Sequence, residues 1–140
     1  MNKFIEIKDR KQLDEFMNQI WNFHDSVISK INYVSGSYGS QKGSYAFDDK
    51  RELVVRFEGL HFNENIIDTL ELKFSKLEKA FISPCQENYT TNIMCAKIEL
   101  RNNRFIFVND NSFDINTIIT NEKFYYYIVA EKLYYRIKSK

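Results

Sequence analysis

A histidine and an aspartate stand side by side at His24-Asp25, and no other adjacent pair in the chain is as well suited to acid/base chemistry. A histidine beside a carboxylate can act as a general base, and in metal-dependent phosphohydrolases such a pair supplies two metal ligands. Those enzymes need further His and Asp ligands, whereas the only other histidine here is His61. We also expect the pair to open a strand, where neighbouring side chains point to opposite faces and cannot easily share one metal.

A structural interpretation of the same residues fits better. Asp25 or Ser26 would cap backbone amides where a helix gives way to a strand, and His24 would hydrogen-bond locally. His24 and Asp25 are therefore the catalytic candidates of an alternative function, that of an enzyme or a small-molecule binder whose site lies beside the helix end.

Metal and thiol chemistry have less support. His24, His61, Cys85 and Cys95 are ligand types that zinc accepts, but they lack the close-paired spacing of structural zinc modules. Cys85 and Cys95 form no CxxC pair, and we expect reduced, partly buried thiols, although a disulfide stays open as an alternative. The sequence thus predicts no metal site and no cofactor.

Tyrosines near the end of the chain are the binding candidates. The run Phe124-Tyr125-Tyr126-Tyr127 would place large aromatic side chains on both faces of a strand. Packing in the core and against a helix is the favoured use of these rings. The functional alternative makes Tyr125, Tyr127 and Tyr135 anchors of a protein interface or of self-association.

Composition restricts the class of protein. The chain of 140 residues has 12 Phe and 9 Tyr but only 4 Gly and 1 Pro, which predicts one domain over residues 1–140 without flexible linkers. A net charge of +1 argues against a nucleic-acid binder, since such proteins carry a clear cationic excess. No stretch approaches the length of a membrane span and the first residues lack a signal-peptide core, so we expect a cytoplasmic protein that binds no membrane.

Hydrophobic spacing predicts one helix followed by strands. Apolar residues recur at helical spacing between about residues 9 and 21, with Asp9 as the cap. From Phe23 onward the period is two, and turn-forming residues at 35–44 predict a hairpin connection. The pair Asn102-Asn103 predicts a tight turn in a second hairpin. Residues 79–83 read as a further short strand.

The final segment, 124–137, is ambiguous between helix and strand. Ala130-Glu131-Lys132-Leu133 favours a helix, whereas the three tyrosines and Ile128-Val129 favour a strand, and we choose the strand. The predicted fold is therefore mostly β in the α+β class. One N-terminal helix packs on an antiparallel meander of six or seven strands over about 23–137, arranged as a sandwich or half-barrel.

Several short stretches, in this order along the chain, resemble a family of small bacterial proteins that has no known activity. They are Phe23-His24-Asp25-Ser26, Tyr33-Val34-Ser35-Gly36-Ser37-Tyr38, Glu87-Asn88-Tyr89-Thr90, Ala96-Lys97-Ile98-Glu99-Leu100 and Ala130-Glu131-Lys132-Leu133-Tyr134-Tyr135-Arg136. The resemblance implies a predominantly β fold and supplies no catalytic residues. Small β-rich bacterial proteins also occur as immunity partners of secreted toxins, which is an analogy only. We therefore expect a non-enzymatic protein-binding domain, with toxin neutralisation as one role.

Overall fold

The computed structural model describes residues 3–41, 43–82, 92–93, 95–109 and 126–139. Besides a one-turn helical segment at Trp21–Phe23, one α-helix and eleven strands follow one another along these ranges. They are β1 (Ile5–Ile7), α1 (Arg10–Gln19), β2 (Ser26–Val34), β3 (Ser37–Gly39), β4 (Tyr45–Phe47), β5 (Glu52–Glu58), β6 (His61–Phe62), β7 (Asn65–Ile82), β8 (Asn92–Ile93), β9 (Lys97–Arg101), β10 (Arg104–Val108) and β11 (Tyr126–Ser139).

The helix forms where the spacing predicts it. The carboxylate of Asp9 accepts a hydrogen bond from the Gln12 amide at 2.9 Å and so caps the first turn. Leu13, Phe16 and Met17 are buried on the side that faces the sheet. Predicted helix and cap are confirmed, with the helix ending at Gln19.

A single antiparallel sheet dominates the fold, with strand order β8-β2-β5-β7-β11-β10-β9. β1 pairs with β11 at Leu133–Tyr135, after the stretch of β11 that pairs with β10. β6 pairs with the start of β7. β3 and β4 pair only with each other, as a separate two-stranded ribbon between β2 and β5. The mostly β prediction with one helix is confirmed.

The large sheet is strongly curved. β8 lies at the β2 end of the strand order and β9 at the opposite end, yet only three residues separate Ile93 from Lys97. Four residue steps span at most about 14 Å, so the two ends of the sheet approach one another. The result is an open half-barrel whose inner face carries the core.

Aromatic side chains fill this inner face. The Phe57 ring lies 4.6 Å from Phe23 and 5.9 Å from Phe107, and Phe107 lies 6.1 Å from Phe74 (ring centroids). All four rings are fully buried. They come from β5, β7, β10 and the turn before β2, and therefore join the parts of the curved sheet into one core.

Two details differ from the sequence predictions, and two further predictions are confirmed. β2 begins at Ser26 and not at Phe23, because the preceding residues form a left-handed turn. The strand predicted at 79–83 is the end of the long β7, which passes through a bulge opposite Val129 and Ala130. The Asn102-Asn103 turn is confirmed, with φ values of 53° and 59°. The final segment is confirmed as a strand from Tyr126 onward.

Candidate functional site

The candidate pair His24-Asp25 lies in the turn that precedes β2. The Nδ1 atom of His24 is 3.0 Å from the Oδ2 atom of Asp25, and the two side chains are 48% and 66% exposed. The expectation that they open a strand with side chains on opposite faces is wrong, because the turn lets both side chains lie on one side. Since Asp25 occupies Nδ1, the Nε2 atom is the nitrogen of His24 that remains for a ligand.

The backbone of this turn is unusual. Trp21, Asn22 and Phe23 have φ values of 53°, 53° and 61°, and Asp25 has 59°. Left-handed φ values cost a residue with a side chain about 1–2 kcal/mol each. We call residues Trp21 to Asp25 the left-handed turn.

Buried contacts hold the left-handed turn in place. The hydroxyl of the buried Ser26 donates to the Phe23 carbonyl at 2.8 Å, and the Ala96 amide donates to the Asn22 carbonyl at 2.8 Å. The ring of Phe23 is fully buried among the core aromatics. Ser26 thus has a structural role as expected, although its side chain donates to a carbonyl and does not cap an amide.

A second histidine lies beside the same turn. The His61 ring, carried by β6, stacks on Trp21 with a centroid distance of 5.6 Å and an interplanar angle of 16°. Trp21 remains 54% exposed. His61 therefore contacts Trp21, whereas His24 contacts Asp25, and each histidine has a partner of its own.

Within the described ranges, no group of three or more His, Cys, Asp or Glu residues is placed to hold a metal ion. Cys95 is half-buried. Cys85, the other thiol of the predicted set, lies outside the described residues, and so does any pairing between the two.

The tyrosines named as anchors occupy different environments. Tyr135 is half-buried, and its ring centroid lies 4.6 Å from that of Phe16 on the helix. Burial raises the pKa of the Tyr135 hydroxyl above its usual value. Tyr127 is half-buried against a small cluster of Ile106, Val108 and Val129. Tyr125 lies outside the described residues.

More exposed aromatic side chains lie on the ribbon formed by β3 and β4. Tyr45 is 90% exposed and Phe47 is 81% exposed. The two point to the same face, because they are two residues apart in one strand. Their cross-strand neighbours are Gly39 and Ser37, which are too small to cover them. We call Tyr45 and Phe47 the aromatic face of the ribbon.

The ribbon is attached at a narrow base. The Asp48 amide donates to the Gly36 carbonyl at 2.7 Å, and Gly36 has φ of 77°. A Cβ atom on Gly36 would lie 2.8 Å from the Asp48 carbonyl oxygen, so only glycine fits. The turn-like composition of residues 35–44 conceals β3, and without β3 the three residues of β4 have no predicted partner strand. The alternation Tyr45-Ala46-Phe47 was the available signal.

Ion pairs and cation–π contacts cover the outer face of the sheet. Arg136 on β11 donates to Glu71 on β7 at 2.9 Å, and its guanidinium lies 4.2 Å from the Phe4 ring centroid. The amine of Lys73 lies 4.5 Å from Phe4 and 4.6 Å from Tyr134. These contacts bind the segment before β1 to the outer face and have a structural role.

The chain matches no protein-family model, no curated protein and no solved structure. The described part of the chain also contains no helix with the length and apolar character needed to cross a membrane.

Proposed function

We propose that this protein is a non-enzymatic domain that binds another protein, and that the aromatic face of the ribbon is its anchor. The observation that carries the proposal is the exposure of Tyr45 and Phe47, at 90% and 81%. Large aromatic side chains left in water are a cost in the free protein and become favourable once a partner covers them.

The neighbourhood of the ribbon supports the same use. Tyr33 at the end of β2 is 62% exposed, Val34 is 47% exposed, and Tyr38 on the other face of the ribbon is 54% exposed. Interfaces are rich in tyrosine and phenylalanine, and a few such residues supply most of the binding free energy. Tyr127 and Tyr135 are half-buried, so the ribbon offers the larger contact area.

A comparative pull-down from the native cells tests the proposal. The tagged wild type should capture a stoichiometric protein, and the double variant Tyr45→Ser/Phe47→Ser should lose it while its melting temperature stays within about 2 °C, because exposed side chains contribute little to stability. Ala46→Ser, on the opposite face of the same strand, is the matched control and should retain the partner. Retention by the double variant would refute the ribbon as anchor.

The wild type and the double variant also distinguish two possible partners, a second copy of this chain and a toxin. A second copy of the chain would double the mass in light scattering, and the double variant would return it to one chain. If the captured protein is a toxin, it should be lethal when expressed alone and harmless when expressed together with this chain, which is the result expected of an immunity protein.

The left-handed turn favours a second function, that of a small-molecule binder or hydrolase with His24 and Asp25 at its site. Backbone strain persists at functional sites, and the turn carries the exposed Trp21, which stacks on His61, together with the polar pair of His24 and Asp25. A ligand of this site should raise the melting temperature of the wild type and fail to raise that of His24→Ala. A variant that merely melts lower in the absence of ligand would assign His24 a structural role.

A further inference from the structure

A cavity of about 540 Å³ opens beside the last residues of β2 and the first residues of β5. This end of the two strands is the one remote from the left-handed turn. Its apolar lining comes from Tyr33, Leu53, Leu77, Ala80 and Ile82. Tyr33 and Leu53 lie on the core-facing side of the sheet, since they pair in register and Leu53 pairs with the buried Phe74. Leu77, Ala80 and Ile82 lie on the same side, because they pair with the buried core residues Ala130, Ile128 and Tyr126 of β11. The inner face of the half-barrel therefore reaches solvent at this end, where Ile82 is 39% exposed.

One cation is fixed at the rim of this cavity. The Nε atom of Arg51 donates to the Leu77 carbonyl at 2.8 Å, which holds the guanidinium over the lining. The Nη1 atom of Arg51 lies 3.8 Å from Asp49 Oδ1, a separation too long for a hydrogen bond. The two terminal nitrogens of Arg51 therefore keep donors for an anion, in the geometry that suits a carboxylate.

The acidic side chain of the described lining is paired with a cation other than Arg51. Glu78 is the one acidic residue among the described residues of the lining, and Arg104 on β10 pairs with its carboxylate. Among the described residues, the cavity thus combines an apolar wall with a guanidinium at its rim that keeps donors for an anion, although the Asp49 carboxylate lies 3.8 Å away.

The size and lining of the cavity suit a small molecule. Small-molecule pockets are commonly about 300–1,000 Å³ with mostly apolar walls and a few polar groups that fix orientation. We infer that the cavity binds a small amphipathic carboxylate, a free acid with an unbranched apolar chain. Its carboxylate pairs with the guanidinium of Arg51, and its chain lies along Leu77, Ala80 and Ile82.

Calorimetric titration with a matched pair of ligands tests this inference. Decanoate should bind the wild-type chain below its micellar concentration, and decan-1-ol, which has the same chain length without the charge, should bind about tenfold more weakly or not at all. Arg51→Gln should abolish the preference for decanoate. Arg51→Lys should keep part of it, because the charge remains while the planar fork is lost.

Two further variants locate the site. Ala80→Leu adds bulk to an exposed lining position and should weaken the binding of decanoate about tenfold or more. Arg101→Gln on β9, whose ion pair in the described part of the chain is with the nearby Glu99, is the matched charge control and should bind decanoate as the wild type does. The double variant Tyr45→Ser/Phe47→Ser should also bind it normally, so loss of protein binding and loss of this site are separate results.

Several outcomes would overturn the inference. They are a wild type that binds neither ligand, equal affinities for decanoate and decan-1-ol that Arg51→Gln leaves unchanged, and decanoate binding that survives Ala80→Leu. If Arg51→Gln unfolds the chain, Arg51→Lys and Ala80→Leu still decide the matter.

Discussion

At the scale of single residues, the left-handed turn is a place where the core overrides local backbone preference. Trp21, Asn22 and Phe23 all adopt positive φ, and none of them is glycine. Burial of a phenylalanine side chain contributes about 1.5–3 kcal/mol, which offsets much of the backbone cost of the turn. The chain therefore accepts a strained turn in order to place Phe23 between Phe57 and Phe107.

The relative stabilities of glycine and alanine variants at Trp21 measure this strain. Trp21→Gly should be more stable than Trp21→Ala by about 1 kcal/mol, because glycine adopts positive φ without penalty. Both variants lose the stack on His61, so that loss cancels in the comparison. At Glu15, an exposed position in the middle of α1, the order should reverse, with Glu15→Ala more stable than Glu15→Gly by about 1 kcal/mol. Urea denaturation measures both pairs, and the same order at both positions would contradict the left-handed conformation.

Burial of Tyr135 gives the stability of the protein an alkaline limit. Desolvation raises the pKa of the Tyr135 hydroxyl above its usual value of 10.0. Desolvation is also the largest cause of the raised pKa of Tyr134, followed by the nearby carboxylate of Glu6. A group whose pKa is higher in the folded state contributes stability below its unfolded pKa and loses that contribution as the pH rises through the folded value.

The free energy of unfolding should accordingly fall as the pH rises from about 9.5 through 10 and above. Tyr135→Phe should make this fall shallower, since it removes one of the hydroxyl groups that ionise. Chemical denaturation at several pH values is the measurement, and Tyr38→Phe, at an exposed tyrosine, is the control. An equally steep fall in Tyr135→Phe would contradict the role of this hydroxyl.

At the scale of elements, patterns that depend on local chemistry could be predicted and patterns that depend on the tertiary fold could not. The cap at Asp9, the buried stripe of α1 and the turn at Asn102-Asn103 follow from propensity and spacing. The start of β2 could not be predicted, because a packing demand on Phe23 decides it. The ribbon could not be predicted for a related reason, since turn-like composition conceals β3 and leaves the three-residue β4 without a predicted partner.

The hairpin of β9 and β10 offers a test of turn chemistry. Asn102 and Asn103 both have positive φ, as a two-residue hairpin turn of type I′ requires. Asn103→Gly should stabilise the protein by about 0.5–1 kcal/mol, because glycine carries no penalty at this conformation. Asn103→Ala should destabilise it by a similar amount, and thermal denaturation of the two variants measures the difference. A stabilising alanine would show that the turn adopts another form.

At the scale of the whole molecule, the high aromatic content divides into two populations with opposite environments. The fully buried rings of Phe23, Phe57, Phe74 and Phe107 join the curved sheet, whereas Tyr45 and Phe47 stand in solvent on the ribbon. Composition alone cannot separate these populations. The separation depends on which strands pair across the curve, and long-range pairing is the feature that local sequence specifies least.

Truncation of one ring from each population tests this division. Phe107→Ala should lower the free energy of unfolding by about 3–5 kcal/mol, because it leaves a cavity where three strands and the left-handed turn meet. Phe47→Ala should change it by less than about 0.5 kcal/mol, since the ring contacts mostly water. Urea denaturation with equal slopes for both variants provides the comparison. A large loss of stability in Phe47→Ala would place the ribbon within the folded core, and the exposure on which the protein-binding proposal rests would then have a structural explanation.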